Sequence, residues 1–220
     1  MWINQKPLWD FGGRLQRSYQ VTGYDLTNEA FKGRKRSSFV LLNSSIGFCQ
    51  LSLPIVFEGC SRHDVTAKKS LFDMEAYGKN DLTMDDGFQY FVYLDSIGEA
   101  SYPADELIEC DYTFIGVRHG DLETVDGNTV MCSSTLPNTD CIIDVTVSAN
   151  RQNYDVGSVQ FPSVTAGEKI TVDGINKRIL VNGAPAAEQA EWINFPSLIP
   201  GKNVINCLDP VTVTYYPVYF

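Results

Sequence analysis

The part of the sequence that most constrains the fold is residues 159–219, where short β-prone runs alternate closely with turn-forming residues. The runs at residues 170–172 and 179–181 are rich in β-branched side chains, which favour an extended backbone. Asn182-Gly183 follows the second run, and this dipeptide is typical of tight turns between antiparallel strands. The pattern predicts a β-hairpin followed by a turn.

Two further strand signals complete this stretch. Pro200-Gly201 suits the central positions of a type II turn and separates two short predicted strands. Residues 211–216 alternate apolar with more polar side chains, which predicts a strand with one face in a core. Because Pro217 cannot donate a ladder hydrogen bond, we expect this strand to lie at the edge of a sheet.

The first half of the chain predicts strands around one helix. Ser61 is a typical N-cap and Gly78 a typical stop, so residues 61–78 are predicted to be helical and to pack on the preceding strands. The predicted apolar stripe of this helix consists of Val65, Leu71, Phe72, Met74 and Ala76. Residues 39–57 predict two strands of a sheet buried on both sides, and residues 27–38 predict a polar, mostly basic loop.

A polar, glycine-containing link near His119 separates this part from a region in which strand alternation restarts at residues 141–149. A chain of 220 residues can bury one substantial core or two modest ones. We therefore expect two domains, an α+β domain at residues 1–118 and an all-β domain at residues 119–220.

Charge is distributed unevenly along the chain. Residues 1–50 hold seven basic and three acidic residues, a net charge of +4. Because the whole chain has a net charge of −10, residues 51–220 have a net charge of −14. An acidic surface repels phosphates, which argues against sequence-specific binding of nucleic acid. No run reaches the ~18 apolar residues of a membrane span, and the first residues lack a secretion signal, so we expect no membrane insertion.

The chemistry-bearing residues do not form a recognisable active site. The six cysteines are scattered without a CxxC pair, which predicts buried thiols in a reducing environment. His63 and His119 stand apart from any zinc-ligand spacing or nucleophile motif. The acidic pairs at residues 85–86 and 105–106 are better explained as turn residues than as a catalytic acid and base. We therefore expect no enzyme activity, catalytic residue, cofactor or metal site.

The order of the signals carries a family resemblance. A first FP is followed by TVDGINKRILVNG, then by FPSLIPGKNVI, and finally by VTYYPVYF. This series resembles the C-terminal half of the distal tail proteins (Dit) of long-tailed bacteriophages. The strand, helix and strand order of residues 1–117 resembles, more loosely, the N-terminal ring-forming half of the same family.

The resemblance implies a mainly β chain with two domains. Residues 1–118 would form a ring-forming, tail-tube-like domain, β-sandwich-like with one helix, and residues 119–220 a galectin-like β-sandwich. The implied function is that of a virion structural protein, made in the host cytoplasm, that forms a six-fold ring at the tail tip and leaves a channel for DNA. The implied partners are other copies of the chain, the tail tube protein, the tail tip hub or tail-associated protein, and the receptor-binding protein.

Two groups of residues are candidates for contacts. Lys32, Arg34, Lys35 and Arg36 are predicted to form a basic arm that contacts an acidic surface of the next subunit; binding to DNA in the channel is the competing hypothesis. The alternative function is a carbohydrate-binding β-sandwich module in which Trp192 stacks on a sugar. Because Trp192 is surrounded in sequence by apolar residues, a place in a core or interface is favoured for it.

Overall fold

A computed structural model of the chain describes residues 1–32 and 40–220. The fold is mainly β, as the sequence predicts, and the described residues contain one α-helix. The chain divides into two compact units, Met1–Arg118 and His119–Phe220. Each unit contains its own cluster of buried apolar side chains.

The first unit is built from strands and the single α-helix. In chain order the elements are β1 (Trp2–Ile3), β2 (Lys6–Pro7), a 3₁₀ turn (Leu8–Phe11), β3 (Gly13–Leu15), β4 (Gln20–Val21), β5 (Leu26–Phe31), β6 (Val40–Ile46), β7 (Cys49–Glu58), α1 (Arg62–Ala76), β8 (Lys79–Thr83), β9 (Gln89–Ile97), β10 (Ser101–Ala104) and β11 (Leu107–His119).

One sheet organises this unit, with the strand order β2-β1-β8-β9-β11-β7-β3, while β10 pairs with β11 and β4 with β7. Its centre is the long antiparallel pair of β7 and β11, which runs from Leu107 opposite Glu58 to Gly116 opposite Cys49. β11 also has β9 as its neighbour on the side away from β7.

The helix is confirmed as α1, Arg62–Ala76. Ser61 is its N-cap, and the Ser61 hydroxyl accepts a hydrogen bond from the backbone N–H of Asp64 at 3.2 Å. The predicted stripe divides between two faces: Val65, Phe72 and Ala76 are buried, whereas Leu71 and Met74 are exposed. This part of the prediction was wrong because, at ~100° per residue, Leu71 lies ~100° and Met74 ~160° away from Phe72 around the helix, outside the buried side.

Phe72 holds the helix on the sheet through a group of aromatic rings. Its ring centroid lies 5.0 Å from that of Tyr112, 5.5 Å from that of Phe57 and 5.7 Å from that of Phe11. The contacts with Tyr112 and Phe11 are edge-on, a geometry that aromatic pairs prefer. The Tyr112 hydroxyl also donates a hydrogen bond of 2.6 Å to Asp73, so the same strand fixes the helix at two adjacent positions.

Replacing Phe72 by Ala should lower the free energy of unfolding of the first unit by about 3–5 kcal/mol, because a fully buried ring leaves a cavity. Urea denaturation below the concentration of self-association measures this change. Leu71→Ala, on the exposed face of the same helix, is the control and should change stability by less than about 0.5 kcal/mol. Equal losses for the two variants would contradict the packing described for α1.

The structure overturns two predictions for the residues before β7. The expected polar loop is in part strand β5, and only one of the two strands expected in a buried sheet, β7, is buried. The other, β6, is exposed along its whole length and pairs with β5. Its apolar side chains gave the signal of burial, although no other described part of the chain covers them.

The second unit contains only short helical turns among its strands. In chain order its elements are β12 (Glu123–Asp126), β13 (Thr129–Cys132), β14 (Thr139–Thr146), β15 (Arg151–Val156), β16 (Val159–Val164), β17 (Lys169–Asp173), β18 (Arg178–Val181), β19 (Ala184–Pro185), a 3₁₀ turn (Ala187–Gln189), β20 (Glu191–Trp192), β21 (Ser197–Leu198), β22 (Gly201–Val204), β23 (Val211–Tyr215) and β24 (Val218–Tyr219).

Its largest sheet has the order β12-β23-β14-β17-β18-β19, with β21 on β14; β15-β16-β20 and β13-β22 form smaller sheets. The predicted hairpin is confirmed, with Ile170 opposite Val181 and Val172 opposite Ile179. The alternation in β23 is also confirmed, but its edge position was wrong, because β23 lies between β12 and β14. Pro217 follows the strand and interrupts no ladder bond within it.

Three polar groups in this unit converge on the buried carboxylate of Asp209. Its carboxylate accepts hydrogen bonds from the Ser148 hydroxyl (2.5 Å), the Ser148 backbone N–H (3.2 Å) and the Tyr154 hydroxyl (2.7 Å). The Ser148 bond, with smaller help from Tyr154, lowers the pKa of the Asp209 carboxyl against the opposing effect of burial. The ionised form of Asp209 therefore stabilises the folded unit.

Asp209→Asn should lower the free energy of unfolding by about 1.5–3 kcal/mol at pH 7, because hydrogen bonds to a charged group are lost. Since the folded pKa is depressed, the contribution is complete above the unfolded pKa of ~3.9 and disappears as the pH falls through the folded value. The difference from the wild type should therefore narrow in acid. Asp126→Asn, at an exposed carboxylate bonded to Thr212, is the control for urea titrations at several pH values. A difference that does not change with pH would contradict this account.

The six cysteines are free thiols, and four of them are buried in the two cores: Cys49, Cys110, Cys132 and Cys141. Cys207 is half-buried. The prediction of burial was wrong for Cys60, which is exposed in the turn before α1. Among the described residues, no helix has the length and apolar character needed to cross a membrane.

Candidate assembly surface

The most prominent candidate surface is the hairpin of β5 and β6, which we call the arm. Among residues 1–32 and 40–220, these two strands pair only with each other, and every residue in them is exposed. The register runs from Leu26 opposite Ile46 to Phe31 opposite Val40, with a shift after Glu29 that leaves Leu42 as the extra residue of a bulge.

The two faces of the arm differ in charge. Because directly opposed residues share a face, the register assigns every side chain of the pairs to one side or the other. The uncharged face consists of Leu26, Asn28, Ala30, Leu41, Ser44 and Ile46. The second face carries Thr27, Glu29, Phe31, Val40, Asn43 and Ser45. Apolar side chains in this number on an exposed edge ribbon are typical of a surface that another chain covers.

The basic residues predicted at the end of the arm are only partly described. Lys32 follows β5 and is exposed. Arg34, Lys35 and Arg36 lie outside the described residues. The proposed contact of these four residues with a neighbouring subunit therefore stays a prediction.

An acidic stretch lies at one end of the main sheet of the same unit. Residues 95–111 contain six acidic residues and no Lys or Arg. They include the end of β9, all of β10 and the start of β11. The turn at Asp105 and Glu106 lies beside the N-terminus of α1, since Arg62 Nη1 is 3.8 Å from Asp105 Oδ1 and the Gly59 N–H donates to the Glu106 carbonyl at 2.9 Å.

The predicted contact residue of the second unit, Trp192, is 44% exposed. It lies on β20 opposite Val159, whose side chain is buried, so the indole is on the side of this sheet that faces the core. The Trp192 and Phe195 ring centroids are 4.8 Å apart, and the Lys177 ammonium lies 5.5 Å from the Phe195 ring. The place of Trp192 in an interface and its contact with a sugar both stay predictions.

The first unit has an open cavity of about 710 Å³, and two of the polar side chains that line it are hydrogen-bonded to each other. The Tyr19 hydroxyl donates a 2.6 Å hydrogen bond to Asp86, and burial, together with this bond, raises the pKa of Tyr19. The guanidinium of Arg118 lies 5.2 Å from the ring of Phe88.

Among the described residues, no group of three or more His, Cys, Asp or Glu side chains is arranged to hold a metal ion.

The chain is similar to known proteins in its structure and not in its sequence. No family model and no curated protein matches the sequence of the chain. Solved structures do match in fold, and among them are a hub adsorption apparatus protein and a baseplate of phages.

The crystal structure of the Dit protein of phage SPP1, described as a paradigm of the hub adsorption apparatus in phages that infect Gram-positive hosts, matches with a TM-score of 0.71 and 13% identity. The match covers 99% of this chain and 98% of the SPP1 protein. The phage P2 baseplate in its activated conformation with Ca matches with a TM-score of 0.53 and 10% identity, over 94% and 90% of the two chains. The chain thus has a fold like that of the SPP1 Dit protein, and the mainly β fold implied by the sequence resemblance is confirmed. The galectin-like character of the second domain and the ring-forming role of the first stay predictions.

Proposed function

We propose that this chain is a structural component of a phage tail tip, a distal tail protein that forms a ring between the tail tube and the baseplate or receptor-binding apparatus. The ring leaves a channel through which DNA passes. The partners are further copies of the chain, the tail tube protein, the tail tip hub or tail-associated protein, and a receptor-binding protein. The protein acts in the virion, after synthesis in the cytoplasm of the host.

The observation that carries this proposal is the extent of the match with the SPP1 Dit protein. It spans 99% of this chain, and therefore residues of both units, and 98% of the SPP1 protein. A single β-sandwich module would match over one unit. The proposal therefore concerns the chain as a whole, which also makes an isolated carbohydrate-binding module the weaker hypothesis.

The arm supports assembly of identical copies. In a heterologous contact, one surface of a copy binds a different surface of the next copy. Repeating this contact produces a closed ring when the rotations between successive subunits add up to a full turn. An exposed β-ribbon with apolar side chains needs such an acceptor, and the described residues 1–32 and 40–220 leave every position of it exposed.

The net negative charge of the chain is compatible with a channel through which DNA passes. Residues 51–220 carry −14, so most of the surface repels phosphate and does not retain a passing duplex. The few basic residues near the end of the arm are then available for contacts between subunits.

The purified chain should form particles of roughly six times 24.5 kDa, the mass of a six-fold ring. Mass photometry and light scattering over a range of concentrations, with and without the tail tube protein, measure this directly. A protein that stays monomeric under every condition would contradict the proposal. Defined oligomers of another size would change only the stoichiometry.

Reversing Arg34 and Arg36 to Glu should weaken ring formation at low salt, because it removes the proposed ion pairs with the next subunit. The effect should be modest, since exposed ion pairs contribute only ~0.2–1 kcal/mol each. The effect should decrease at ~1 M salt, where the screening length is ~3 Å. Sedimentation velocity at two salt concentrations measures the change. If rings are unaffected while binding to duplex DNA disappears, these residues contact DNA and not the neighbouring subunit.

A further inference from the structure

The side of α1 that points away from the sheet is a surface without charge. On a helical wheel, the residues within ~60° of Met74 are His63, Ala67, Ser70, Leu71 and the C-cap Tyr77, which together with Met74 we call the helix outer face. Leu71, Met74 and Tyr77 are 62%, 72% and 83% exposed. This face, all of whose residues the structure describes, contains no Asp, Glu, Lys or Arg.

The spacing of these residues is that of a contact between two helices. Steps of four, three, four and three residues connect His63, Ala67, Ser70, Met74 and Tyr77. This alternation keeps side chains in one line along a helix, and it is the spacing with which paired helices insert the side chains of one between those of the other. A surface helix normally has one apolar side, in the core, and α1 has this second line in solvent. An exposed apolar surface of this kind is typical of a face that a partner covers.

The charged residues on the flanks of the helix outer face are paired within the unit. Lys68 Nζ is 3.0 Å from Asp64, and Lys69 Nζ is 2.8 Å from Asp73. The Glu75 carboxylate accepts a 2.6 Å hydrogen bond from the lysine of β2. Because these carboxylates already have cations beside them, the face does not require a partner of opposite charge. The partner that it suits is an uncharged helix surface.

The helix outer face is complementary to itself when two copies lie antiparallel. With Ser70 of both copies at the crossing point, Ala67 lies opposite Met74 of the second copy. At the next level, His63 lies opposite the Tyr77 of the second copy. Each smaller side chain then faces a larger one, which fills the space between the helices evenly. A parallel pair would place Tyr77 against Tyr77 and Ala67 against Ala67, so the helices would be held apart at one end and packed loosely at the other.

From these observations we propose that two copies of the free chain pair through their helix outer faces, with the two α1 helices antiparallel across a two-fold axis at Ser70. The occupant of the face is a second copy of this chain. Both copies use the same surface, so the contact closes with two copies and does not extend into a ring. The inference goes beyond the proposed ring and does not depend on it.

The pair is expected to be weak. The fifteen residues of α1 span ~22 Å at ~1.5 Å per residue, and a helix with its side chains is ~10 Å wide. A strip of this size is only part of the ~800 Å² per partner of a stable interface. The dimer should therefore dissociate readily, and a covalent link that traps it is the appropriate means of detection.

Disulfide trapping at the two-fold axis tests the pair. Since Cα atoms lie ~2.3 Å from a helix axis, helices ~10 Å apart place facing Cα atoms ~5 Å apart, within the ~4.4–6.8 Å of a disulfide. Ser70→Cys, in a Cys60→Ser background that removes the exposed thiol, should form covalent dimers when oxidised with copper phenanthroline. Thr66→Cys is the matched control, because it is exposed on the flank of the same helix and its two copies would be ~12 Å apart along the axis. Non-reducing gels should show at least tenfold faster linking for Ser70→Cys.

Two further variants in the same background test the antiparallel direction. In the proposed pair, Ala67→Cys of one copy faces Met74→Cys of the other, whereas two copies of either variant do not face each other. An equimolar mixture, with a mass tag on one variant, should give mixed dimers at least tenfold faster than either variant links to itself. All the substituted positions are exposed, so the melting temperature of the monomer should be unchanged.

The outcomes distinguish the pair from the ring. Equal rates for Ser70→Cys and Thr66→Cys would overturn the pair, and so would copies of Ala67→Cys that link to each other as fast as to Met74→Cys. Either result, together with rings of the wild-type chain, leaves the proposed function in place. Fast trapping at Ser70→Cys in a chain that never forms rings would support the pair and contradict the proposed function.

Discussion

The interaction on which the first unit depends is the packing of Phe72 among Phe11, Phe57 and Tyr112. A helix on a sheet can roll about its axis unless side chains fix its rotation. The edge-on rings, with the hydrogen bond from Tyr112 to Asp73, fix the rotation of α1 at adjacent positions. Because the inward face is fixed, the outward face is fixed as well, and it presents Leu71, Met74 and Tyr77 to solvent.

The arm raises the opposite question, since its two strands pair with no other strand of the described residues. A two-stranded hairpin alone in water is marginally stable at best, because its ladder hydrogen bonds do not outweigh the entropy lost on ordering. The strands β5 and β6 have the register of a regular ribbon but none of the burial that stabilises β7. In the proposed ring, contact with a second copy would supply that burial, so assembly and the ordering of the arm are expected to be coupled.

Much of the fold follows from local sequence signals. Ser61 with the backbone N–H of Asp64 marks the helix start, and residues 170–181 carry hairpin residues that agree with their structure. These signals are reliable because a cap or a tight turn is determined by a few neighbouring residues. The strand order is different: nothing local places β23 between β12 and β14, so the terminal proline wrongly suggested an edge.

The assembly surface shows a second limit of sequence patterns. The apolar residues of β6 indicate burial, but a pattern does not say whether the covering surface belongs to the same chain or to another. For the same reason the exposed Leu71 and Met74 were assigned to the buried stripe of the helix. The order of motifs in residues 161–220 did indicate the fold, which the structural match at 13% identity confirms without similarity of most residues.

Single-particle electron microscopy of the purified protein tests the central claim, closed assembly of identical copies, most directly. The account predicts class averages of rings with six-fold symmetry and a central opening, in which the arm of each subunit lies on its neighbour. Class averages without closed symmetry at every concentration, with or without the tail tube protein, would contradict it.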